Sequence, residues 1–170
     1  NEVNISGGEF KIDSADDSVH SNGNIVITGG NISVASGDNG MHADGNLTIS
    51  DGTVDITKSY EGIEGSIVTI DGGTISVVAS DDGINCAGGS DTGSTDRMGA
   101  DQFSSQDGVE LNINGGTVTI DADGDGLDSN GNFTMAGGTV YVCGPTNGGN
   151  GALDYNGTAT VTGGTLIACG

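Results

Sequence analysis

The stretch Ser80-Asp81-Asp82-Gly83-Ile84-Asn85 decides the fold, because variants of it recur along the whole chain. Each copy places one or two oxygen-bearing side chains before a single apolar residue, and a polar residue directly after it. One apolar anchor flanked by acidic or amide side chains is therefore the unit of a repeat. The other copies are Ala15–His20, Gly37–His42, Ser59–Glu64, Asp123–Asp128 and, more loosely, Gly149–Asp154.

A second repeated phrase sets the length of the repeat. The pattern Gly-Gly-x-apolar-x-apolar begins at positions 7, 29, 72, 115, 137 and 163, and Asp51-Gly52 opens the same pattern. The successive steps are 22, 22, 21, 43, 22 and 26 residues. A period of this length is typical of stacked repeats, in which each coil buries its apolar side chains against its neighbours. Alternating apolar residues, broken by Gly and Asn, indicate three short strands per repeat.

These features predict an all-β fold, a parallel β-helix of about seven coils with about 22 residues per coil; its right-handedness is implied by the family resemblance described below. Equivalent apolar residues of consecutive coils should stack into five inward columns that form one continuous core. The columns are Phe10, Ile32, Val54, Ile75, Val118, Val140 and Leu166; Ile12, Val34, Ile56, Val77, Ile120, Val142 and Ala168; Val19, Met41, Ile63, Ile84, Leu127 and Leu153; Ile25, Leu47, Val68, Leu111, Phe133 and Ala159; and Ile27, Ile49, Ile70, Ile113, Met135 and Val161.

The composition excludes several classes of protein. Glycine supplies 34 of 170 residues, and each Gly inside a helix costs about 1 kcal/mol relative to Ala, so a compact helical domain is excluded. Periodic Val and Ile residues distinguish the chain from a disordered one. Twenty-four acids against three bases give a formal net charge of -21, a field that repels nucleic acid and anionic membranes and favours cations. No apolar run approaches the roughly 20 residues that span a bilayer.

Residues 88–106 fall in the 43-residue step and lack the repeated phrase, so we interpret them as a long loop inserted into a single β-helix domain of residues 1–170. Long loops on a rigid scaffold often carry specificity. The sequence begins inside a strand-like segment without a signal peptide and ends just after another strand. This pattern predicts a fragment of a longer protein. Separately, we expect a monomer within a larger extracellular protein, either secreted or on the cell surface.

Three cysteines are too few for a disulfide framework. Cys143 and Cys169 end the same phrase in consecutive repeats, so their thiols should stack. A spacing of about 4.8 Å between strands only just suits a disulfide, and free, buried thiols are favoured because Cys packs as a small hydrophobe. Cys86 falls in a different column and is expected to be alone.

Carboxylates of the repeated acidic phrase should also stack into columns. Two like charges about 5 Å apart repel by roughly 3 kcal/mol at an effective dielectric constant near 20, so these columns need a counter-charge. Protonation of so many exposed acids is not expected near neutral pH. Mixed carboxylate, amide and backbone oxygens in flexible geometry suit Ca²⁺. The predicted calcium ligands are Asp16, Asp17, Asp38, Asn39, Glu61, Glu64, Asp81, Asp82, Asn85, Asp125, Asp128 and Asp154.

Two other interpretations of these columns remain open. Asp and Asn also form turns, in which their side chains satisfy local backbone groups. His20 and His42 stack in one column, which would suit a transition metal, although neither a thiol nor a third imidazole joins them. The doubled acids at Asp16-Asp17 and Asp81-Asp82 favour calcium.

The phrase Asp81-Asp82-Gly83-Ile84-Asn85 on a glycine-rich coil, together with residues 121–157, resembles a family of carbohydrate-binding proteins from plant-degrading anaerobic bacteria. Members of that family are calcium-binding, right-handed parallel β-helices, and the likeness covers most of the chain. They bind cellulose and pectic polymers, and their fold is similar to that of polysaccharide lyase family 9. The resemblance implies calcium as cofactor and plant cell-wall polysaccharide as partner.

The related lyases build a calcium site from an Asp of one coil and an Asp-Asp-x-x-Asp of the next. Residues 81–85 match this motif with Asn in the last place, and residues 16–20 match it with His there. The lyases also need a lysine beside the metal to remove the proton α to the uronate carboxyl. Neither Lys11, in the middle of a strand, nor Lys58, in a turn, is well placed for that step.

We therefore predict a non-catalytic, calcium-binding carbohydrate-binding module for cellulose, pectin or polygalacturonate, with no nucleic-acid or membrane partner. A calcium-dependent, pectate-lyase-like enzyme that uses Lys58 or Arg97 is the alternative from another class. A structural adhesin or ice-binding solenoid is a third hypothesis, because Thr53, Thr74, Thr117, Thr139 and Thr165 form a column. The predicted carbohydrate-binding residues are Tyr60, Arg97, Phe103 and Tyr141, the last of which should point outward between Val140 and Val142.

Overall fold

The computed structural model describes residues 1–87 and 105–170, and within these ranges it is a stack of parallel β-strands. About seven coils follow one another at intervals of about 22 residues, which confirms the predicted solenoid. In the described part of the chain no helix is long and apolar enough to cross a membrane. The strands are β1 (Glu2–Asp13), β2 (Val19–Ser21), β3 (Asn24–Ala35), β4 (Met41–Lys58), β5 (Ile63–Ile70), β6 (Thr74–Ala79), β7 (Ile84–Cys86), β8 (Glu110–Ile113), β9 (Thr117–Ala122), β10 (Leu127–Ser129), β11 (Asn132–Met135), β12 (Thr139–Cys143), β13 (Leu153–Tyr155), β14 (Ala159–Val161) and β15 (Thr165–Cys169).

All five predicted inward columns are confirmed by the register of the strands. Ile25 pairs with Leu47, for example, and Leu47 pairs in turn with Val68. Nearly every member of the middle coils is fully buried, and complete burial of one such side chain contributes about 1.5–3 kcal/mol. On the last coil Val161 is 54% exposed, since only one neighbouring coil covers it. The core is thus a continuous apolar rod along the stack.

The repeated Gly-Gly phrase bends the chain of each coil: in β1, β3 and β4 it lies inside one strand, where the pairing register shifts, and in the later coils it lies between two strands. Its second glycine has a positive φ, as at Gly30 (107°) and Gly73 (86°). Side chains disfavour this left-handed region, whereas glycine adopts it without steric cost. The glycines of this phrase therefore serve the bend, and the apolar residues after them serve the core.

The strands on either side of the 43-residue step stack directly on each other. Ile84 of β7 pairs with Leu127 of β10, and Val68 of β5 pairs with Leu111 of β8. The predicted loop of residues 88–106 lies almost wholly outside the described residues and stays a prediction.

All three cysteines are free thiols, as predicted, and Cys143 stacks on Cys169. The prediction that this pair is buried was wrong, because both side chains are exposed. Val142 points into the core, so strand alternation turns Cys143 outward, and the same alternation exposes Cys169. Cys86 is buried in β7, in a separate column between Gly65 and Ser129.

We expect DTNB to modify Cys143 and Cys169 in the folded protein, and Cys86 only after unfolding. Burial raises the pKa of the Cys86 thiol and removes it from solvent, whereas the reagent attacks accessible thiolates. Mass spectrometry of the labelled peptides distinguishes the three sites. Labelling of Cys86 as fast as Cys143 under native conditions would contradict its buried position.

Candidate functional site

The acidic phrase of each coil forms the turn before a short strand, and these turns stack along one edge of the solenoid. This acidic edge comprises residues 15–20, 37–42, 59–64, 80–85, 123–128 and 149–154. Backbone hydrogen bonds hold the stack: the amide of Gly62 donates to the carbonyl of Asp82 at 2.9 Å, and the amide of Gly83 donates to that of Asp125 at 2.8 Å. The register therefore places Asp17, Asn39, Glu61, Asp82 and Asp125 in one column, and His20, His42, Glu64, Asn85, Asp128 and Asp154 in another.

In the four middle copies of the acidic phrase a glycine directly precedes the apolar anchor, because the turn there lies very close to the next coil. A Cβ atom added at Gly62 would lie 2.2 Å from Cγ1 of Val77 and 2.3 Å from the backbone oxygen of Gly83. A Cβ added at Gly126 would meet Val142 at the same distance. Real Cβ atoms essentially never show such contacts. This close approach brings the acidic side chains of neighbouring coils together.

One oxygen of several carboxylates binds the backbone of the next coil. Oδ1 of Asp82 accepts a hydrogen bond from the amide of Asp125 at 2.7 Å, and Oδ1 of Asp125 accepts one from Gly151 at 2.5 Å. Oδ1 of Asp17 accepts one from the amide of Asn39 at 3.0 Å. These three hydrogen bonds reach the next coil, not the local backbone groups that the turn-forming interpretation invokes, and each uses one oxygen of its carboxylate. The second oxygen is left for another partner.

Asp82, Asp125 and Asp128 form a compact group that we call the Asp82 cluster, in which one oxygen from each residue lies within 4.8 Å of the others. Burial, together with the charges of neighbouring carboxylates, raises the pKa of Asp82 and that of Asp128 to about 7. Burial also raises the pKa of Asp125. The pKa values rise because these carboxyls are buried beside one another, and no basic side chain of the described residues pairs with them.

Glu61 and Asn85 lie beside the Asp82 cluster. Burial and the charges of Glu64 and Asp82 raise the pKa of Glu61 to about 9, although the Asn85 side chain hydrogen-bonds to it. Oε2 of Glu61 and Oδ1 of Asn85 are buried and accept no hydrogen bond from any residue that the structure describes. A buried acceptor without a donor costs about 1–3 kcal/mol, which a bound cation would offset. The donor set is all oxygen, as hard cations such as Ca²⁺ prefer.

The first coils carry a different group, which we call the His42 cluster: Asp17, His20 and His42. Nδ1 of His20 lies 2.9 Å from Oδ2 of Asp17, and Nδ1 of His42 lies 3.4 Å from the same oxygen. Burial alone would raise the pKa of Asp17, but hydrogen bonds from His42, His20 and the Asn39 amide lower it below its ordinary value. Asp17 is therefore ionised more readily than the carboxyls of the Asp82 cluster.

The remaining predicted metal ligands are only partly brought together. Asp16, Asp17 and Asp38 also present oxygens within 4.8 Å of one another. The Asn39 side chain donates to Oε2 of Glu64 at 2.5 Å, which joins two coils. Asp81 acts as a neighbouring charge on Asp82, while the exposed Asp154 binds the amide of Tyr155.

The predicted carbohydrate-binding residues do not form one site. Tyr141 points outward from β12 and is 43% exposed, as expected for its place between two buried valines. Tyr60 belongs to the acidic edge, where backbone hydrogen bonds stack it between Asp38 and Asp81. Arg97 and Phe103 lie outside the described residues.

Neither lysine is part of the acidic edge. Lys11 in β1 and Lys58 at the end of β4 are both exposed. Across residues 1–87 and 105–170, no ion pair joins either of them to a carboxylate. The placement that a lyase would need is therefore not observed for these two side chains.

Asp44 and Asn22 also neighbour the two histidines and were not among the predicted site residues. Nε2 of His42 lies 3.6 Å from Oδ1 of Asp44, and the Asn22 side chain lies 3.2 Å from Nε2 of His20. The signal was present, because strand alternation places residues 42 and 44 on the same side of β4. Asn22 and Asp44 are likewise 22 residues apart, one repeat length.

The fold and the acidic edge define a class: an acidic parallel β-solenoid with candidate cation sites between adjacent coils. The family model described as carbohydrate-binding domain-containing protein matches residues 1–40 and 41–151. The chain therefore belongs to this carbohydrate-binding family. No curated protein and no solved structure matches the chain.

Proposed function

We propose that this chain is a non-catalytic module that binds plant cell-wall polysaccharide, with acidic pectic chains such as polygalacturonate as the preferred ligand and cellulose as a second. Calcium ions bound at the acidic edge hold adjacent coils together and bridge to the uronate carboxylates. The observation that carries the proposal is the pair of buried acceptor oxygens on Glu61 and Asn85 beside the Asp82 cluster. Membership in a carbohydrate-binding family supports the choice of ligand.

Calcium would be held by Asp82, Asp125 and Asp128, with Glu61 and Asn85 alongside. When bound, the ion supplies the positive charge that these crowded carboxylates lack. Its six to eight oxygen ligands exceed what three carboxylates offer singly, so polymer oxygens can complete the shell. The protein residues orient the ion and fix the spacing of the two coils.

The net charge of the chain gives the cation a second role. At -21 the protein repels an anionic polymer such as polygalacturonate over a distance set by the salt concentration. A divalent cation shared between a protein carboxylate and a uronate replaces that repulsion with attraction. Binding of the acidic polymer should therefore require calcium, whereas binding of a neutral polymer should depend on it less.

Tyr141 is our candidate for contact with a sugar ring. Its exposed side chain stacks in register between Thr119 and Ile167, on an outward face where Thr117, Thr139 and Thr165 form the neighbouring column. An aromatic ring beside hydroxyl groups on a regular sheet suits a flat sugar chain. The aromatic ring can pack against the apolar face of a sugar ring, and the threonine hydroxyls can hydrogen-bond to the sugar hydroxyls. A ligand of this kind places the protein outside the cell, as a monomeric part of a larger secreted or surface protein.

We expect the protein to be retained on polygalacturonate in excess calcium and released by chelator. Asp128→Asn should weaken calcium binding at least tenfold and reduce retention in parallel, because it removes charge from the Asp82 cluster. Tyr141→Ala should reduce retention without changing calcium affinity. Calorimetry measures the affinity, and pull-down on insoluble polymer measures retention.

Asp13→Asn is the matched control, because Asp13 is an exposed carboxylate of the first coil outside the acidic edge. The same mixtures are monitored for ultraviolet-absorbing unsaturated ends. Calcium-dependent formation of such ends would replace this proposal with a lyase. If chelator leaves retention on the polymer unchanged, polysaccharide binding does not require calcium, and that part of the proposal is refuted.

A further inference from the structure

We propose that the His42 cluster is a second metal site, for a borderline transition metal of the Zn²⁺ class, with Asp17, His20 and His42 as protein ligands. This site is distinct from the proposed calcium site in both position and chemistry. It lies between the first two copies of the acidic phrase, whereas the Asp82 cluster lies between later coils.

The spacing of the donor atoms fits one small ion. Zinc–nitrogen and zinc–oxygen bonds are about 2.0–2.2 Å long, so two ligand atoms of a tetrahedral site lie about 3.3 Å apart. Oδ2 of Asp17 lies 2.9 Å from Nδ1 of His20 and 3.4 Å from Nδ1 of His42. A donor atom from each of the three residues lies within 4.8 Å of the other two. The two spacings from Asp17 are therefore already close to those around a bound ion.

The backbone positions both histidines before any metal arrives. His20 of β2 pairs in register with His42 of β4, and the two rings meet edge to face with centroids 4.9 Å apart. His42 is only 1% exposed, so packing fixes its ring. Nε2 of His42 lies 3.6 Å from Asp44 and 3.7 Å from Glu64. Carboxylates beside the far nitrogen of a ligating imidazole orient it and increase its basicity.

The donor types select the metal. Imidazole nitrogen suits zinc, copper, nickel and iron, whereas calcium takes oxygen ligands almost entirely. In the same column of later coils the two histidines are replaced by Glu64, Asn85 and Asp128, which offer oxygen. The column thus changes from nitrogen to oxygen ligands along the solenoid. His20 is 37% exposed at its side chain, which leaves the fourth coordination position open to water or to a sugar oxygen.

The test titrates the intact chain with Co²⁺, as a spectroscopic substitute for Zn²⁺, in the presence of excess Ca²⁺. We expect visible d–d bands typical of a tetrahedral nitrogen–oxygen site, at one equivalent, and displacement of Co²⁺ by added Zn²⁺. His20→Gln should weaken Zn²⁺ binding at least tenfold in calorimetry, because it removes one of the two nitrogen ligands. Equal Zn²⁺ affinity of His20→Gln and the unchanged protein would overturn the proposal, as would a lack of d–d bands.

The variants also separate this proposal from the proposed function. Asp128→Asn should weaken calcium binding and keep Zn²⁺ binding. His20→Gln should weaken Zn²⁺ binding and keep both calcium binding and calcium-dependent retention on polygalacturonate. His20 is chosen over the buried His42 because a substitution at an exposed position should leave the fold intact. Circular dichroism of both variants checks the fold. Loss of Zn²⁺ binding in Asp128→Asn would place the ion at the Asp82 cluster and refute the assignment.

Discussion

In the presence of a chelator that removes calcium, the free energy of unfolding is expected to fall as the pH rises from about 4 to about 7, and to fall further towards pH 9. Asp82 and Asp128 have pKa values of about 7 in the folded chain, and Glu61 has one of about 9, against ordinary values of 3.8 and 4.5. In the unfolded chain these carboxyls ionise near their ordinary values. Between the two pKa values the folded state binds more protons, so raising the pH favours unfolding.

The expected size of this effect is large for so few residues. A pKa of about 7 in place of 3.8 at Asp82 alone corresponds to about 4 kcal/mol as an upper value, because one pKa unit equals 1.36 kcal/mol. Calcium should remove most of the loss, because the proposed site exists only in the folded chain and needs ionised carboxylates. At a thousandfold excess over the dissociation constant it would contribute about 4 kcal/mol.

Urea unfolding at a series of pH values, with chelator and with calcium, measures both effects. Asp128→Asn should flatten the pH dependence in chelator, because the amide cannot ionise. Asp121→Asn is the control, since Asp121 is exposed on β9 outside the acidic edge. Stability in chelator that increases from pH 4 to pH 7 would contradict the assigned burial of these carboxyls.

Gly62→Ala is expected to destabilise the fold by about 3 kcal/mol or more, near the upper limit for overpacking a core. The new methyl group would lie 2.2 Å from Val77 and 2.3 Å from the backbone oxygen of Gly83. The side chain of Val77 has no space to move within the core, and the backbone oxygen can move only if the next coil moves. The stack must therefore open at this level.

Gly7→Ala is the matched control for this substitution. A Cβ atom at Gly7 has no neighbour within 4 Å, and its backbone is not in the left-handed region. Its effect should stay within about 0.5 kcal/mol, the usual range for surface substitutions. Chemical unfolding followed by far-ultraviolet circular dichroism compares the two. Equal midpoints for Gly62→Ala and the unchanged protein would refute the close approach of the coils.

The columns of the solenoid could be predicted because they depend only on alternation and on the repeat length. A residue such as Ile63 is 22 positions after Met41 and 21 before Ile84, so counting alone identifies its neighbours. The same alternation indicates that Cys143 and Cys169 are exposed. The prediction was wrong because it relied instead on the general tendency of cysteine to be buried. The periodic pattern was the better guide.

The chemistry of the acidic edge could not be predicted to the same depth. Which oxygen of Asp82 binds the next amide, and which oxygens of Glu61 and Asn85 have no donor, depends on rotamers. Stacking predicted that His20 lies over His42, but the shared contact with a single oxygen of Asp17 required coordinates. The residues of each cluster were therefore predictable, whereas the atomic contacts that distinguish the two clusters were not.

The register of the strands also makes the chain behave as a one-dimensional lattice. Among the described residues, the strands of each coil pair with those of the coils before and after it, at separations of 21, 22, 26 or 43 residues, so the stability of the stack is approximately a sum of nearest-neighbour terms. The single 43-residue closure between Ile84 and Leu127 costs only about 0.6 kcal/mol more in loop entropy than one of half that length. An ion bound between two coils, as proposed above, would stabilise only the contact between those two coils, and folding that begins at any coil can propagate from it in both directions.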